Sequence, residues 1–197
     1  TIYDDLENIN KYKNIFKRFK KQIIIHLASQ PLVSESYVDT KKNYETNIMG
    51  TVKLFELSKE LKYLKNILIF TSDKVYKNLE KVSLNEYSPL GGDDPYSASK
   101  SAQDLISNSY KVSFFKKNKN IFIVRAGNIF GGGDWEISRL ISDLFLSNFK
   151  KKNISLRNPN ATRPWQHILD VLEGILKLII FKGKKVSNKS LIYNIGP

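Results

Sequence analysis

Three short, unbroken apolar runs constrain this chain more than any other feature: Ile23-Ile24-Ile25-His26-Leu27-Ala28, Asn66-Ile67-Leu68-Ile69-Phe70 and Ile121-Phe122-Ile123-Val124. A strand that is apolar at every position has no solvent face, so it belongs in a sheet covered on both sides. Between the runs the apolar spacing becomes helical. One helix is predicted over about Asn8–Lys21, with Ile15, Phe16 and Phe19 inward. A second spans about Asp39–Tyr63, through Ile48, Val52, Leu54, Phe55, Leu57 and Leu61. A third opens at Pro95, where proline suits a first helical turn, and runs to about Phe115. Further helices are expected over about Ile137–Phe149 and Leu169–Phe181, with extended pieces near Ile154, near Trp165 and over Leu191–Asn194.

Buried strands alternating with helices of ten or more residues argue for a parallel, doubly wound (Rossmann-like) α/β sheet. Ligands of such sheets lie at the carboxyl ends of the strands, so the residues after each apolar run are the informative ones. The length of 197 residues allows one domain, or one domain and part of another. With 41% hydrophobic and 12% aromatic residues, wholesale disorder is excluded.

The absence of cysteine removes disulfides, thiolate nucleophiles and cysteine-based metal sites. The two histidines, His26 and His167, lie far apart, so no metal site is expected. His26 reads as a buried histidine ending a strand, and His167 as one hydrogen-bonded near the site. The apolar stretch Ile175–Phe181 is interrupted by Lys177 and falls far short of the ~20 residues of a membrane span. Thr1–Asp5 carries no basic leader followed by an apolar block, and a cytoplasmic location is expected. The formal net charge of +13 raises nucleic acid as a partner. The lysines, however, cluster at Lys17–Lys21, Lys116-Lys117, Lys150–Lys152 and Lys182–Lys185, each at the end of a predicted helix. There they complement the helix dipole and stay solvated. No nucleic-acid partner is expected; such a surface attracts a small diphosphate ligand instead.

The strongest chemical signal is Tyr96-Ser97-Ala98-Ser99-Lys100, just inside a predicted helix. Residues four apart share a face, so the Lys100 ammonium is expected to stabilise a Tyr96 phenolate and lower its pKa. Tyr96 is then a candidate proton acceptor for a hydroxyl that loses hydride. Thr71-Ser72-Asp73-Lys74 follows the second apolar run and gathers hydroxyl, carboxyl and ammonium groups at a strand's carboxyl end. The loop Arg125–Trp135 matches neither the dinucleotide-binding nor the Walker pattern. Its glycines fit either a close approach of backbone to ligand or a tight excursion with positive φ. The segment Leu156–His167 brings Arg157, Arg163 and Trp165 together, and arginine's planar fork suits diphosphate oxygens.

His26-Leu27-Ala28-Ser29-Gln30-Pro31, Glu45-Thr46-Asn47-Ile48-Met49-Gly50-Thr51, Thr71–Tyr76 and Asp94–Lys100 together resemble the extended short-chain dehydrogenase/reductases. Asp73-Lys74, Leu90-Gly91-Gly92-Asp93, Gly131-Gly132-Gly133-Asp134-Trp135 and the Arg157–His167 block narrow the resemblance to the nucleotide-sugar 4,6-dehydratases that act on CDP-glucose. The resemblance implies bound NAD and an internal redox cycle on a nucleotide-diphosphate sugar. Tyr96, assisted by Ser72 and Lys100, takes the C4 hydroxyl proton while hydride leaves. Lys74, where related dTDP-glucose dehydratases have glutamate, takes the C5 proton. Asp73 protonates the departing C6 hydroxyl. By the same resemblance Leu27, Ala28, Ser29, Tyr96 and Lys100 line the cofactor, Asn128, Trp135 and Arg157 touch substrate, and Arg163 holds the diphosphate.

The resemblance further implies residues 1–135 as part of an NAD-binding domain and 136–197 as part of a smaller substrate-binding region interleaved with the last core strands. It implies a homodimer paired through helices like those at 39–63 and 95–115. The family opens with a strand and glycine-rich turn that this sequence lacks, and continues past its last residue, so the chain reads as an internal fragment. A nucleotide-sugar 4-epimerase is the alternative within the class; an inactive remnant or basic binding module is the alternative outside it.

Overall fold

A computed structural model describes residues 2–20, 22–77, 83–115, 118–136, 139–156, 158–182 and 191–197. Its strands are β1 (Ile23–His26), β2 (Asn66–Phe70), β3 (Asn120–Ala126), β4 (Ile129–Phe130), β5 (Gln166–His167) and β6 (Ile192–Ile195). β1, β2, β3 and β6 form one sheet in the order β1-β2-β3-β6, parallel throughout. β4 and β5 pair separately, also parallel. Register aligns His26 with Ile69, Phe70 with Val124 and Ala126 with Ile195, so all four carboxyl ends share one edge. The expected parallel α/β sheet is present.

The α-helices among the described residues are α1 (Lys13–Arg18), α2 (Val33–Val38), α3 (Thr40–Tyr44), α4 (Gly50–Glu60), α5 (Pro95–Tyr110), α6 (Leu140–Phe149) and α7 (Ile168–Lys177). Successive strand side chains point to opposite faces. Ile67, Ile69, Ile121 and Ile123 accordingly pack with Phe55, Leu57, Leu61 and Phe115 on one side. Leu68, Phe122 and Val124 pack with Val171, Ile175 and Leu191 on the other. β2 and β3 are therefore covered on both faces, as their sequence predicts.

β1 departs from that expectation. Ile23 and Ile25 are 41% and 42% exposed, because β1 lies at the sheet edge and one of its faces has no cover among the described residues. Leu27 and Ala28 fall beyond the strand and are exposed. The first helix also differs: a 3₁₀ segment (Leu6–Tyr12) precedes α1, and Ile9 is buried while Ile15 and Phe19 are exposed. Three residues per turn instead of 3.6 rotates the inward face away from positions counted at α-helical spacing. α2 is too short for apolar periodicity to reveal it. The predicted helix over 39–63 is Thr40–Glu60, made of α3 and α4 joined by a π-turn at Glu45–Met49. No strand forms at Ile154, and no described helix is long and apolar enough to cross a membrane.

Candidate active site

The site is built where the chain leaves β2 and where α5 begins. The Thr71 backbone N–H and hydroxyl both donate to the Val124 carbonyl, at 2.7 and 3.0 Å, pinning the exit from β2 to β3. Ser72 then caps a short 3₁₀ turn, Asp73–Val75: its Oγ accepts the Lys74 N–H at 3.2 Å and donates to Asp73 Oδ1 at 3.0 Å. The Ser101 hydroxyl donates to the Val75 carbonyl at 2.8 Å and ties this turn to α5.

α5 starts where it does because Asp94 caps it. Asp94 Oδ1 accepts the Ser97 N–H at 2.9 Å and Oδ2 the Ser97 hydroxyl at 2.5 Å, with Pro95 in the first turn. A Cβ at Gly92 would collide with Ser97, so the approach to the cap requires glycine. Tyr96 is thereby fixed in the first turn, buried, with its phenol hydrogen-bonded to the Ser72 side chain. Burial pushes the phenol above its ordinary pKa. The Ser72 bond opposes this, the Asp73 and Asp94 carboxylates add to it, and the Arg139 charge counters them.

One turn further, Lys100 is only 2% exposed; its Nζ donates to the Phe70 carbonyl at 3.2 Å and to Gln103 Oε1 at 3.0 Å. Burial lowers it from 10.5 to about 8. The expectation that Lys100 lowers the Tyr96 pKa is therefore corrected. The bonds of the ammonium go to Phe70 and Gln103, and loss of water around the phenol dominates, so Tyr96 is raised.

Ser72, Asp73, Tyr96 and Lys100 thus come together as the sequence indicates. Leu27, Ala28 and Ser29 follow β1 on the same carboxyl edge, the first two exposed and Ser29 half-buried. Asn128 follows β3, its carbonyl accepting the Gln166 N–H at 3.0 Å. Lys74 and Arg163 are exposed and Trp135 is 65% exposed. Arg163 Nη1 donates to the neighbouring Thr162 carbonyl at 2.6 Å. Arg157 lies outside the described residues. His167 accepts the Leu169 N–H on Nδ1 at 3.3 Å, which makes it the cap of α7.

The glycine-rich loop resolves into two uses. A Cβ at Gly127 would strike Pro164, so that glycine admits the 158–165 segment; Gly133 has φ +87°. Sequence reasoning missed Arg139. It reaches the site from the start of α6 and pairs with Asp134 at 2.8 Å, and an arginine opening the helix after a glycine-rich loop was the available signal.

A parallel sheet with a hydroxyl, a carboxyl, a phenol and an ammonium at its carboxyl edge defines the class: a Rossmann-like domain of the extended short-chain dehydrogenase/reductase type. The chain belongs to the GDP-mannose 4,6 dehydratase family, whose sequence profile matches residues 1–192. It is 39% identical to the CDP-glucose 4,6-dehydratase of Salmonella typhimurium, over 98% of this chain and 56% of that protein. The chain spans about half the length of the curated relatives it matches. A dTDP-glucose 4,6-dehydratase from Bacillus anthracis, solved in complex with NAD, superposes with a TM-score of 0.81 at 26% identity, covering 99% of this chain and 57% of that one. A UDP-glucuronic acid 4-epimerase from Bacillus cereus superposes with a TM-score of 0.86 at 21% identity, covering 99% and 59%, a likeness of fold.

Proposed function

We propose that this chain carries the catalytic groups of an NAD-dependent nucleotide-sugar 4,6-dehydratase, a hydro-lyase that converts CDP-glucose to its 4-keto-6-deoxy product in the full-length protein. The observation that carries this reading is the convergence of Ser72, Asp73, Tyr96 and Lys100 at the carboxyl ends of β2 and α5's first turns. Similarity to the Salmonella enzyme supports CDP-glucose as the substrate. Residues 1–135 serve the cofactor side and 136–197 the substrate side, and two copies pair through the helices over Thr40–Glu60 and Pro95–Tyr110.

The carboxyl edge fits a dinucleotide. Lys100 has three N–H donors and uses two on Phe70 and Gln103, leaving one for a ligand hydroxyl. Leu27, Ala28, Ser29, Tyr96 and Lys100 would hold NAD, which supplies a hydride acceptor at C4 and returns the hydride at C6. Tyr96 takes the C4 hydroxyl proton as its phenolate, which must first give up the phenol proton and is favoured by the Ser72 hydroxyl and the Arg139 charge. Lys74, on the same 3₁₀ turn as Asp73, takes the C5 proton that the adjacent ketone acidifies. Asp73 donates a proton to the leaving C6 hydroxyl, which departs as water; the Ser72 hydroxyl orients that carboxyl. Asn128, Trp135, Arg157 and Arg163 hold the sugar and diphosphate, with Arg139 adding positive charge beside Tyr96.

The test mixes the full-length protein with NAD and CDP-glucose and follows NADH absorbance and product by mass. Tyr96→Phe is expected to slow reduction of NAD by roughly 10²–10⁴-fold. Asp73→Asn is expected to keep reduction and lose the water-loss product. A C4-inverted sugar that retains its C6 hydroxyl would instead assign an epimerase.

A further inference from the structure

Behind Lys100 runs a chain of buried hydrogen bonds that the proposed reaction does not use. Lys100 Nζ donates to Gln103 Oε1 at 3.0 Å, and Gln103 Nε2 donates to Thr51 Oγ1 at 2.9 Å. The Thr51 hydroxyl donates to the Asn47 carbonyl at 2.8 Å, and its oxygen lies 3.1 Å from His26 Nε2. Gln103 and Thr51 are fully buried, and His26 is 5% exposed.

The direction of every bond follows from the ammonium, which can only donate. Gln103 must present its oxygen to Lys100, so its NH₂ faces Thr51. The Thr51 proton is engaged by the Asn47 carbonyl, so Thr51 receives both Gln103 and the imidazole. His26 therefore carries its proton on Nε2. Burial, and then the charge of Lys100, lower His26 from 6.5 to about 4, so it remains a neutral donor at neutral pH.

We infer that Gln103 is the positioning residue for Lys100: its amide, locked in one orientation by Thr51 and His26, fixes the ammonium so that its remaining N–H is presented to the ligand beside Tyr96. The inference rests on the proposed function only in giving Lys100 a role at that ligand. A neutral amide orients the ammonium without pairing its charge, whereas a carboxylate in the same place would bind the charge itself. The other titratable and charged groups on the packed elements are Asp73 and Lys74 on the turn after β2, Tyr96, Tyr110 and the Arg125-paired Asp104 on α5, Lys53, Glu56, Lys59 and Glu60 on α4, and Glu45 paired with Lys41.

The test titrates Lys100 in the full-length protein carrying ¹³C at the lysine Cε positions, its resonance assigned by loss in Lys100→Met. Gln103→Met removes an acceptor from the charged form and is expected to lower the Lys100 midpoint by about one pH unit. Gln103→Glu is expected to raise it by about one unit. Thr51→Val leaves the acceptor in place but frees the amide to rotate, so a smaller fall is expected. An unchanged midpoint in all three variants, or shifts of one sign in both Gln103 variants, overturns the inference. Should Gln103→Met fail to fold, the opposite signs expected of Gln103→Glu and Thr51→Val decide. Opposite shifts in a protein that makes no keto sugar would uphold Gln103 and overturn the dehydratase reading; turnover with fixed midpoints would do the reverse.

Discussion

At the carboxyl end of β1 the His26 imidazole is held against the Thr51 hydroxyl and kept neutral down to about pH 4. In the unfolded chain it takes a proton near 6.5, so between those values the unfolded state binds more protons than the folded one. Stability contributed by neutral His26 is therefore present above pH 6.5 and is lost as pH falls toward 4, by about 3 kcal/mol in all. Urea unfolding at pH 7 and pH 5 should show about 2 kcal/mol of this loss in the wild type and less in His26→Gln. At this scale the sequence reveals groups that are local to one loop or one helix turn. Ser72 and Asp73 are adjacent, and Tyr96 and Lys100 are four apart. Gln103 also lies on that helix, yet its meaning depends on Thr51 and His26, brought from two other elements by tertiary packing.

α5 shows how an element's start sets chemistry. Asp94→Ala removes the acceptor for both the Ser97 N–H and hydroxyl, and an N-cap of this kind contributes about 1 kcal/mol. That loss should appear in the unfolding midpoint, together with a fall in NAD reduction, because Tyr96 sits in the turn the cap organises. Pro95 made this boundary readable from the sequence, and the runs at β2 and β3 made those strands readable. The 3₁₀ segment at Leu6–Tyr12 and the π-turn at Glu45–Met49 were not, since apolar spacing is counted against a single period and both segments break it. The π-turn brings Asn47 to the Gln30 N–H at 2.8 Å and to Ser99 Oγ at 2.9 Å, a placement made by the extra residue in the turn.

Across the whole molecule, the Arg125 guanidinium joins parts far apart in sequence. Its Nε and Nη2 bind Asp104 of α5 at 2.7 and 2.9 Å, and its Nη1 donates to the Tyr76 hydroxyl and the Glu86 carbonyl, both at 3.0 Å. Tyr76 in turn donates to Asn194 of β6 at 2.5 Å. Arg125→Met strands a buried carboxylate and should cost about 3–5 kcal/mol in urea unfolding. Arg125→Met with Asp104→Leu should recover most of it. The parallel arrangement was readable from alternation of runs and helices. The exposure of β1 was not, because an apolar run reports burial capacity and not the strand's place in the sheet. β6 completes that sheet on β3, although β4, α6, β5 and α7 separate the two in sequence. At about 5–20 residues per second, a ribosome spends several seconds between releasing β3 and β6. Tyr96, Lys100 and the turn after β2 are all translated before that interval, so the pocket can assemble on the nascent chain while one flank of β3 still awaits its neighbour.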